Sequence, residues 1–252
     1  MKQKWVAIGI VCICIAVAYR APTAAAQSKS AKETAPAEAA STPKVIVYVP
    51  PDKGAPGSRI GGGTRAAGQD HCDARIEALV PESPVGLTMK AQPILQWYLY
   101  TKMECRLDFV LNERHKSPPL VEKTLAGPME PGVHQVDLAS LGVQLEPGVE
   151  YEWSVAIVHD SGRRSHDSVA GGQVMRHAAT GATGVSEHAT SAEVASSYAQ
   201  QGIWYDALAA LTAGIEAQPE NFQLREQRAA LLGQVGLAEV AARERAAINT
   251  PK

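Results

Sequence analysis

The sequence predicts a mixed α and β fold, in which an antiparallel β-sandwich is followed by a helical C-terminal region. Between residues 75 and 176, short segments alternate apolar and polar positions and are separated by turn residues such as Gly127-Pro128. Period-two patterning of this kind is typical of antiparallel strands with one buried face. From residue 190 to residue 248 the chain is rich in alanine and has helical patterning instead. The boundary between the two regions therefore falls near residues 178–189.

The first 26 residues have the organisation of a secretory signal peptide. Lys2 and Lys4 precede an apolar run over residues 6–18, and Ala24-Ala25-Ala26 supplies small residues for cleavage. This run is shorter than the roughly 20 residues that span a bilayer, so no transmembrane span is expected after cleavage. The alternative is a retained N-terminal anchor. We expect an exported protein that resides in the periplasm or cell envelope, or is secreted.

The sequence divides into five predicted segments. They are a signal peptide (1–26), a disordered linker (27–43), a β-sandwich domain (44–177), a second linker (178–189) and a helical region (190–249). The net charge is −2 for the whole chain and becomes −5 when the basic residues of the signal are removed. A mildly acidic chain does not favour nucleic acid as a partner.

Two cysteines, Cys72 and Cys105, remain after signal removal. In an exported protein an even pair predicts a disulfide, which stabilises a fold by about 3–4 kcal/mol when unstrained. The alternative is that Cys72 binds a metal together with the neighbouring His71 and Asp73, which requires a further ligand from elsewhere in the fold. We expect the disulfide, with no metal site.

A glycine-rich loop spans residues 54–68 and follows a β-prone run at 45–49 that ends at two prolines. One interpretation is an anion-binding site, because consecutive free amides and arginines can hold a phosphate or carboxylate. Its residues are Arg59, Gly61, Gly62, Gly63 and Arg65. The loop lacks the signatures of a P-loop and of a dinucleotide site. The other interpretation, which we favour, is a structural loop whose arginines bond nearby carbonyls or carboxylates.

The clearest predicted strand covers residues 149–159 and follows a Pro147-Gly148 turn. Tyr151 and Trp153 lie on its apolar face. The run Leu-x-Pro-Gly-x-x-Tyr-x-Trp resembles the tyrosine corner of immunoglobulin-like and fibronectin-like sandwiches. The resemblance implies a sandwich of that type, in which the Tyr151 hydroxyl bonds back to the preceding turn.

The helical region begins with Thr190-Ser191-Ala192-Glu193, which predicts a capping box. Residues 201–221 resemble a tetratricopeptide unit, and a degenerate second unit follows. Since about three repeats are needed for an independent array, these helices are expected to dock on the sandwich or on a partner. Trp204 and Tyr205 are candidate partner contacts, because aromatic residues anchor interfaces. The equally weighted alternative is that they pack the helices onto the sandwich.

Three stretches together resemble a bacterial family named for its lack of a known activity, the domain of unknown function 928. They are the proline- and glycine-rich motif at 49–65, Ala-Leu-Val-Pro-Glu at 78–82, and Tyr-x-x-x-Gly-Ile-Trp-Tyr-Asp-Ala at 198–207. The resemblance covers about residues 50–236. It implies an exported protein with a sandwich and helices, and it implies no reaction.

The leading functional prediction is a non-catalytic protein-binding or scaffolding module whose partner is an envelope protein or a surface glycan. The alternative is binding of an anionic ligand or glycan at the glycine-rich loop. An enzyme is the third possibility, for which only His159 and His166 are worth testing, since no Gly-x-Ser-x-Gly motif is present. No catalytic residue and no cofactor are predicted.

Overall fold

The computed structural model describes residues 45–51, 59–62, 74–178 and 188–248, which belong to one compact unit. The predicted signal peptide, the linker at 27–43, most of the glycine-rich loop and most of the linker at 178–189 lie outside the described residues. The mixed α and β prediction is confirmed, because two β-sheets precede four helices.

The larger sheet has five antiparallel strands in the order β1-β9-β8-β5-β6, and β3 pairs in parallel with the far end of β9. The smaller sheet is antiparallel with the order β2-β4-β7. The strands are β1 Ile60–Gly62, β2 Ile76–Ala78, β3 Gly86–Thr88, β4 Ile94–Leu99, β5 Leu107–Glu113, β6 Val121–Leu125, β7 Gly132–Asp137, β8 Glu150–Ile157 and β9 Ser168–Arg176. The helices are α1 Ser191–Gln200, α2 Trp204–Ala217, α3 Phe222–Gly233 and α4 Ala238–Ile248.

Strand β8 has the predicted one-sided burial. Its buried positions begin at Tyr151 and recur at every second residue, and the alternate positions are half-buried. The predicted turn contact is also present, since the Glu146 amide donates to the Tyr151 hydroxyl at 3.0 Å. The apolar period of two therefore identified both the strand and the face that enters the core.

Strand β4 is buried on both faces, although its sequence predicts one. Leu95 and Leu99 enter the core between the sheets and are fully buried. On the other face, Gln96 accepts a hydrogen bond from Thr212 of α2 at 3.3 Å, and the Tyr100 ring lies 4.8 Å from the Arg243 guanidinium of α4. The helices therefore cover the outer face of the smaller sheet.

The β-prone run at the start of the described chain is extended but joins neither sheet. Ile46 and Tyr48 are buried, and the three valines that alternate with them are exposed. The Tyr48 amide donates to the Gln234 side chain at 2.9 Å, and the same side chain donates to the Ile46 carbonyl at 3.0 Å. The Gln234 side chain, just past the end of α3, thus makes the main-chain hydrogen bonds that a neighbouring strand would make.

The start of α2 is inserted against the sandwich. The Trp204 indole donates to the Leu79 carbonyl at 2.9 Å, and the Tyr205 hydroxyl donates to the Gln173 carbonyl at 3.0 Å. The Trp153 indole in turn donates to the Tyr205 hydroxyl at 2.8 Å. Both α2 aromatic side chains are at most 1% exposed. Of the two docking partners considered from the sequence, the sandwich is therefore the one that the helices contact.

The next residue, Asp206, ties α2 to the end of β3. Its Oδ2 accepts from the Thr88 hydroxyl at 3.0 Å and from the Met89 amide at 2.7 Å. Burial raises the pKa of this carboxyl, and the two hydrogen bonds act in the opposite direction. Gly86 on the same strand has no room for a side chain, because an added Cβ would lie 2.6 Å from the Tyr205 ring. Three consecutive residues of α2 therefore fix its position against the sandwich.

A polar network, buried except at Gln135, crosses the interface between the helices and the smaller sheet. Arg228 of α3 donates to Glu244 of α4 at 2.6 Å, and both side chains are at most 6% exposed. Arg228 also donates to Thr212 at 3.2 Å, and Thr212 donates to Gln96 at 3.3 Å. Gln96 completes the chain by donating to Gln135 of β7 at 2.8 Å. Every partner is supplied by a different element, so the network fixes α2, α3 and α4 relative to the sheet.

We expect the substitution Tyr205→Phe to lower the free energy of unfolding by about 1–3 kcal/mol. It leaves the Trp153 indole and the Gln173 carbonyl buried without their partner. Tyr198→Phe is the control, because Tyr198 is half-buried and should change stability by less than about 0.5 kcal/mol. Urea denaturation measures both variants, and equal values for the two would contradict the assignment.

We expect Arg228→Met to destabilise the protein by about 3–5 kcal/mol, because Glu244 is left as a buried, unpaired charge. The double variant Arg228→Met/Glu244→Leu should lose less stability than the single variant, since it removes both charges. Chemical denaturation of Arg228→Met, Glu244→Leu and the double variant gives the coupling free energy between the two residues. Additive losses would show that the pair is not coupled.

Candidate functional site

A groove lies between the start of α1 and the start of α3. It encloses about 390 Å³, within the size range of ligand sites. Its described lining combines side-chain amides and hydroxyls with small or apolar groups: Ala189, Thr190, Ser191, Ala192, Gln218, Asn221, Gln223, Leu224 and Gln227. None of these side chains carries a charge. We call this cavity the α1–α3 groove.

The α1 wall of the groove is positioned by the predicted capping box, which is confirmed. The Thr190 hydroxyl accepts from the Glu193 amide at 3.3 Å, and the Glu193 carboxylate accepts from the Thr190 amide at 2.8 Å. The carboxylate also accepts from the Thr190 hydroxyl at 2.9 Å, and the bonds from the Thr190 amide and hydroxyl lower the pKa of Glu193. A close helix contact sets the wall's distance from α2, since a Cβ on Gly214 would lie 2.6 Å from the Ser191 Cβ.

Three glutamines form a stripe along α3 and the residue that follows it, and two of them belong to the groove wall. A helix turns about 100° per residue, so Gln223, Gln227 and Gln234 lie within about 40° of one another around its axis. Gln234, just past the end of α3, forms hydrogen bonds with the main chain of residues 46 and 48. Gln223 and Gln227 instead line the groove. Each side-chain amide has an N–H₂ group that donates and an oxygen that accepts, so this wall suits a ligand that carries both hydrogen-bond acceptors and donors.

Arg59 of the glycine-rich loop is directed to protein carbonyls. Its guanidinium donates to the Val80 carbonyl at 2.7 Å and to the Val235 carbonyl at 2.6 Å. Glu77 lies 3.9 Å away. Burial lowers the pKa of Arg59, and the nearby carboxylates act in the opposite direction. These contacts agree with the structural interpretation of Arg59.

The remaining loop residues are only partly described. Gly61 and Gly62 lie in β1 and pair with β9, opposite Ala170 and Val169. Gly63 and Arg65 lie outside the described residues. The prediction that the loop binds an anion or glycan therefore stays a prediction, and within the described residues Arg59 already has hydrogen-bond partners in the fold.

Of the two roles considered for Trp204 and Tyr205, the packing of the helices onto the sandwich agrees with their position in the structure. Both side chains are buried at the junction of α2 with the sandwich, at 0% and 1% exposure. Their polar atoms bond to Leu79, Gln173 and Trp153. The sequence marked the two residues as important, and only the fold shows that their importance is in packing.

The disulfide between Cys72 and Cys105 stays a prediction, because Cys72 lies outside the described residues. Within the described ranges, no group of three or more histidine, cysteine, aspartate or glutamate side chains is placed to hold a metal ion. In the same part of the chain, every helix is too short or too polar to cross a bilayer.

The two histidines of the enzyme alternative lie on either side of the turn before β9. His159 shares a hydrogen bond with the Ser168 hydroxyl at 3.0 Å, and His166 lies in a short 3-10 helix. The nearby Asp108 accepts from Arg106, Arg164 and Thr124, and these bonds hold its pKa far below the usual value. Its carboxylate is thus committed to an ion-pair cluster of the protein itself.

Residues 60–245 match the family described as Domain of Unknown Function (DUF928). The chain belongs to this family. Comparison with curated proteins gives no significant match. Among solved structures, a multi-domain immunophilin from Arabidopsis thaliana matches at 8% identity, over 71% of this chain and 98% of that one, with a TM-score of 0.17. A score this low carries no argument about the fold of the DUF928 region.

Sequence reasoning did not identify the α1–α3 groove. The available signal was the spacing of Gln223 and Gln227, which places two uncharged polar side chains on one face of a helix. That spacing does not indicate that α1 lies opposite, because the two walls meet through α2: a Cβ on Gly214 would lie 2.6 Å from the Ser191 Cβ and 3.1 Å from the Leu224 Cδ1.

We expect Arg59→Ala to lower the free energy of unfolding by about 1.5–3 kcal/mol, because the carbonyls of Val80 and Val235 lose a charged donor. Lys123→Ala, at an exposed position of β6, is the control. Thermal and urea melts give the comparison. A melting temperature that stays at the wild-type value while phosphate binding is lost would show that Arg59 serves a ligand instead.

Proposed function

We propose that the protein is an exported, non-catalytic binding module that captures a protein partner in the α1–α3 groove. The observation that carries this proposal is the uncharged, amide-lined cavity of about 390 Å³. The side chains of Gln223 and Gln227 face it, whereas the polar groups at the start of α2 are bonded to the sandwich. The cavity therefore has hydrogen-bonding capacity that the docking of the helices does not consume.

The finer architecture that we propose is a sandwich of the immunoglobulin or fibronectin type with a tetratricopeptide-like helical region. The support for the sandwich type is the separation of β2-β4-β7 from β6-β5-β8-β9, together with the Tyr151 turn contact. The support for the helical type is the arrangement of two helical pairs, α1 with α2 and α3 with α4. Both scaffolds are common in interaction proteins, which is an analogy of fold alone.

Site-specific photocrosslinking in the source cell tests this function. A photoreactive residue replaces Gln218, an exposed residue of the groove lining, in the full-length protein, and a second variant carries it at Lys123 on β6. We expect a discrete protein adduct from the groove position that is absent from the β6 position. The same adduct pattern from both positions, or none from the groove, would contradict the proposal.

Export is tested by N-terminal sequencing of the protein from fractionated cells. We expect a mature N-terminus at Gln27 in the envelope or secreted fraction, because the small residues before it fit signal cleavage. An intact Met1 in the cytoplasmic fraction would contradict export and would leave the groove's role to the crosslinking result.

A further inference from the structure

We propose that the α1–α3 groove binds an uncharged peptide segment in extended conformation, held through its main chain by Gln223 and Gln227. This inference rests on the proposed function and specifies its ligand. The first support is the composition of the groove, whose described lining has no charged side chain. A charged segment would lose water there without meeting an opposite charge on the lining side chains, and the nearby Glu193 carboxylate is already bonded to the Thr190 amide and hydroxyl, so uncharged sequences are favoured.

The second support is a contact that the protein already makes with its own chain. Gln234 holds residues 46–48 through their main chain by accepting from the Tyr48 amide and donating to the Ile46 carbonyl. In an extended chain the amide and the carbonyl of alternate residues point to the same edge. One glutamine therefore spans two residues of the bound segment, and Gln234 shares its face of α3 with the groove glutamines.

The third support is the spacing of the groove glutamines. Four residues of helix advance by about 6 Å, which separates Gln223 from Gln227 along α3. Two residues of an extended chain advance by about 6.6 Å. Consecutive two-residue units of one peptide can thus pair with the two glutamines in the manner of Gln234, without a change of register.

A protein segment fits this groove better than a sugar does. No aromatic ring is among the described lining residues, so the apolar face of a sugar has no flat surface to pack against. Leu224 and Ala192 instead offer small apolar contacts between the amides, which suit the alternate side chains of an extended peptide.

The test uses the purified protein and a library of soluble dodecapeptides with acetylated and amidated ends. We expect affinity selection to enrich uncharged sequences, whose binding changes little between 50 and 500 mM NaCl. The variant Gln223→Ala/Gln227→Ala should weaken the selected peptides at least tenfold. Gln200→Ala, an exposed glutamine at the end of α1, should bind them as the wild type does, and thermal melts establish that both variants are folded.

Backbone N-methylation of one selected peptide then tests the main-chain contacts. Methyl groups on residues of one parity should abolish binding, and those on the other parity should be tolerated, because only one edge of the peptide faces the glutamines. Equal tolerance at both parities, selection of charged sequences, or binding of neutral oligosaccharides in place of peptides would overturn the inference. If the groove crosslinks to a protein while no peptide binds, this inference fails and the proposed function stands. If both are absent, both fail.

Discussion

The arrangement of the whole molecule depends on the burial of three consecutive residues at the start of α2. Trp204 and Tyr205 each direct a polar atom to a backbone carbonyl of the sandwich, and Asp206 receives the end of β3. A buried donor without a partner costs about 1–3 kcal/mol. A shift of α2 that broke these bonds would therefore destabilise the fold. The Tyr205 ring also restricts the sequence of the sandwich, because Gly86 has no room for a side chain beside it. The helices and the sheets therefore form one core.

The position of α2 determines which helical surfaces remain available. Its buried Thr212 links Arg228 of α3 to Gln96 of β4, so the second helical pair is held against the smaller sheet. A helix shift that separated Arg228 from Glu244 would leave two buried charges unpaired, which is strongly unfavourable. With these faces committed, the uncharged amides at the start of α3 are left facing a cavity. The same packing that stabilises the fold thus creates the groove.

The candidate site was less predictable than the fold, and the reason is visible in individual residues. Arg59 lies in a glycine-rich loop whose composition suits an anion, yet its guanidinium satisfies the Val80 and Val235 carbonyls. The second of these carbonyls comes from a turn far along the chain, where local sequence gives no indication of it. Gln223 and Gln227 have the opposite character, since their spacing places both on one helix face but does not indicate what lies across from them. Their relevance depends on a helix wall contributed by residues 189–192.

The sequence by itself determined the division into a β region and a helical region, the buried face of β8 and the cap of α1. These features depend on period, turn residues and side chains within a few positions of one another, which a single sequence displays. Only the tertiary structure decided what covers the second face of β4, why the run at 45–49 joins no sheet, and whether Trp204 faces a partner or the core. Those outcomes depend on which distant surfaces meet. An apolar pattern specifies that a side chain avoids water, and it leaves open which surface provides the cover.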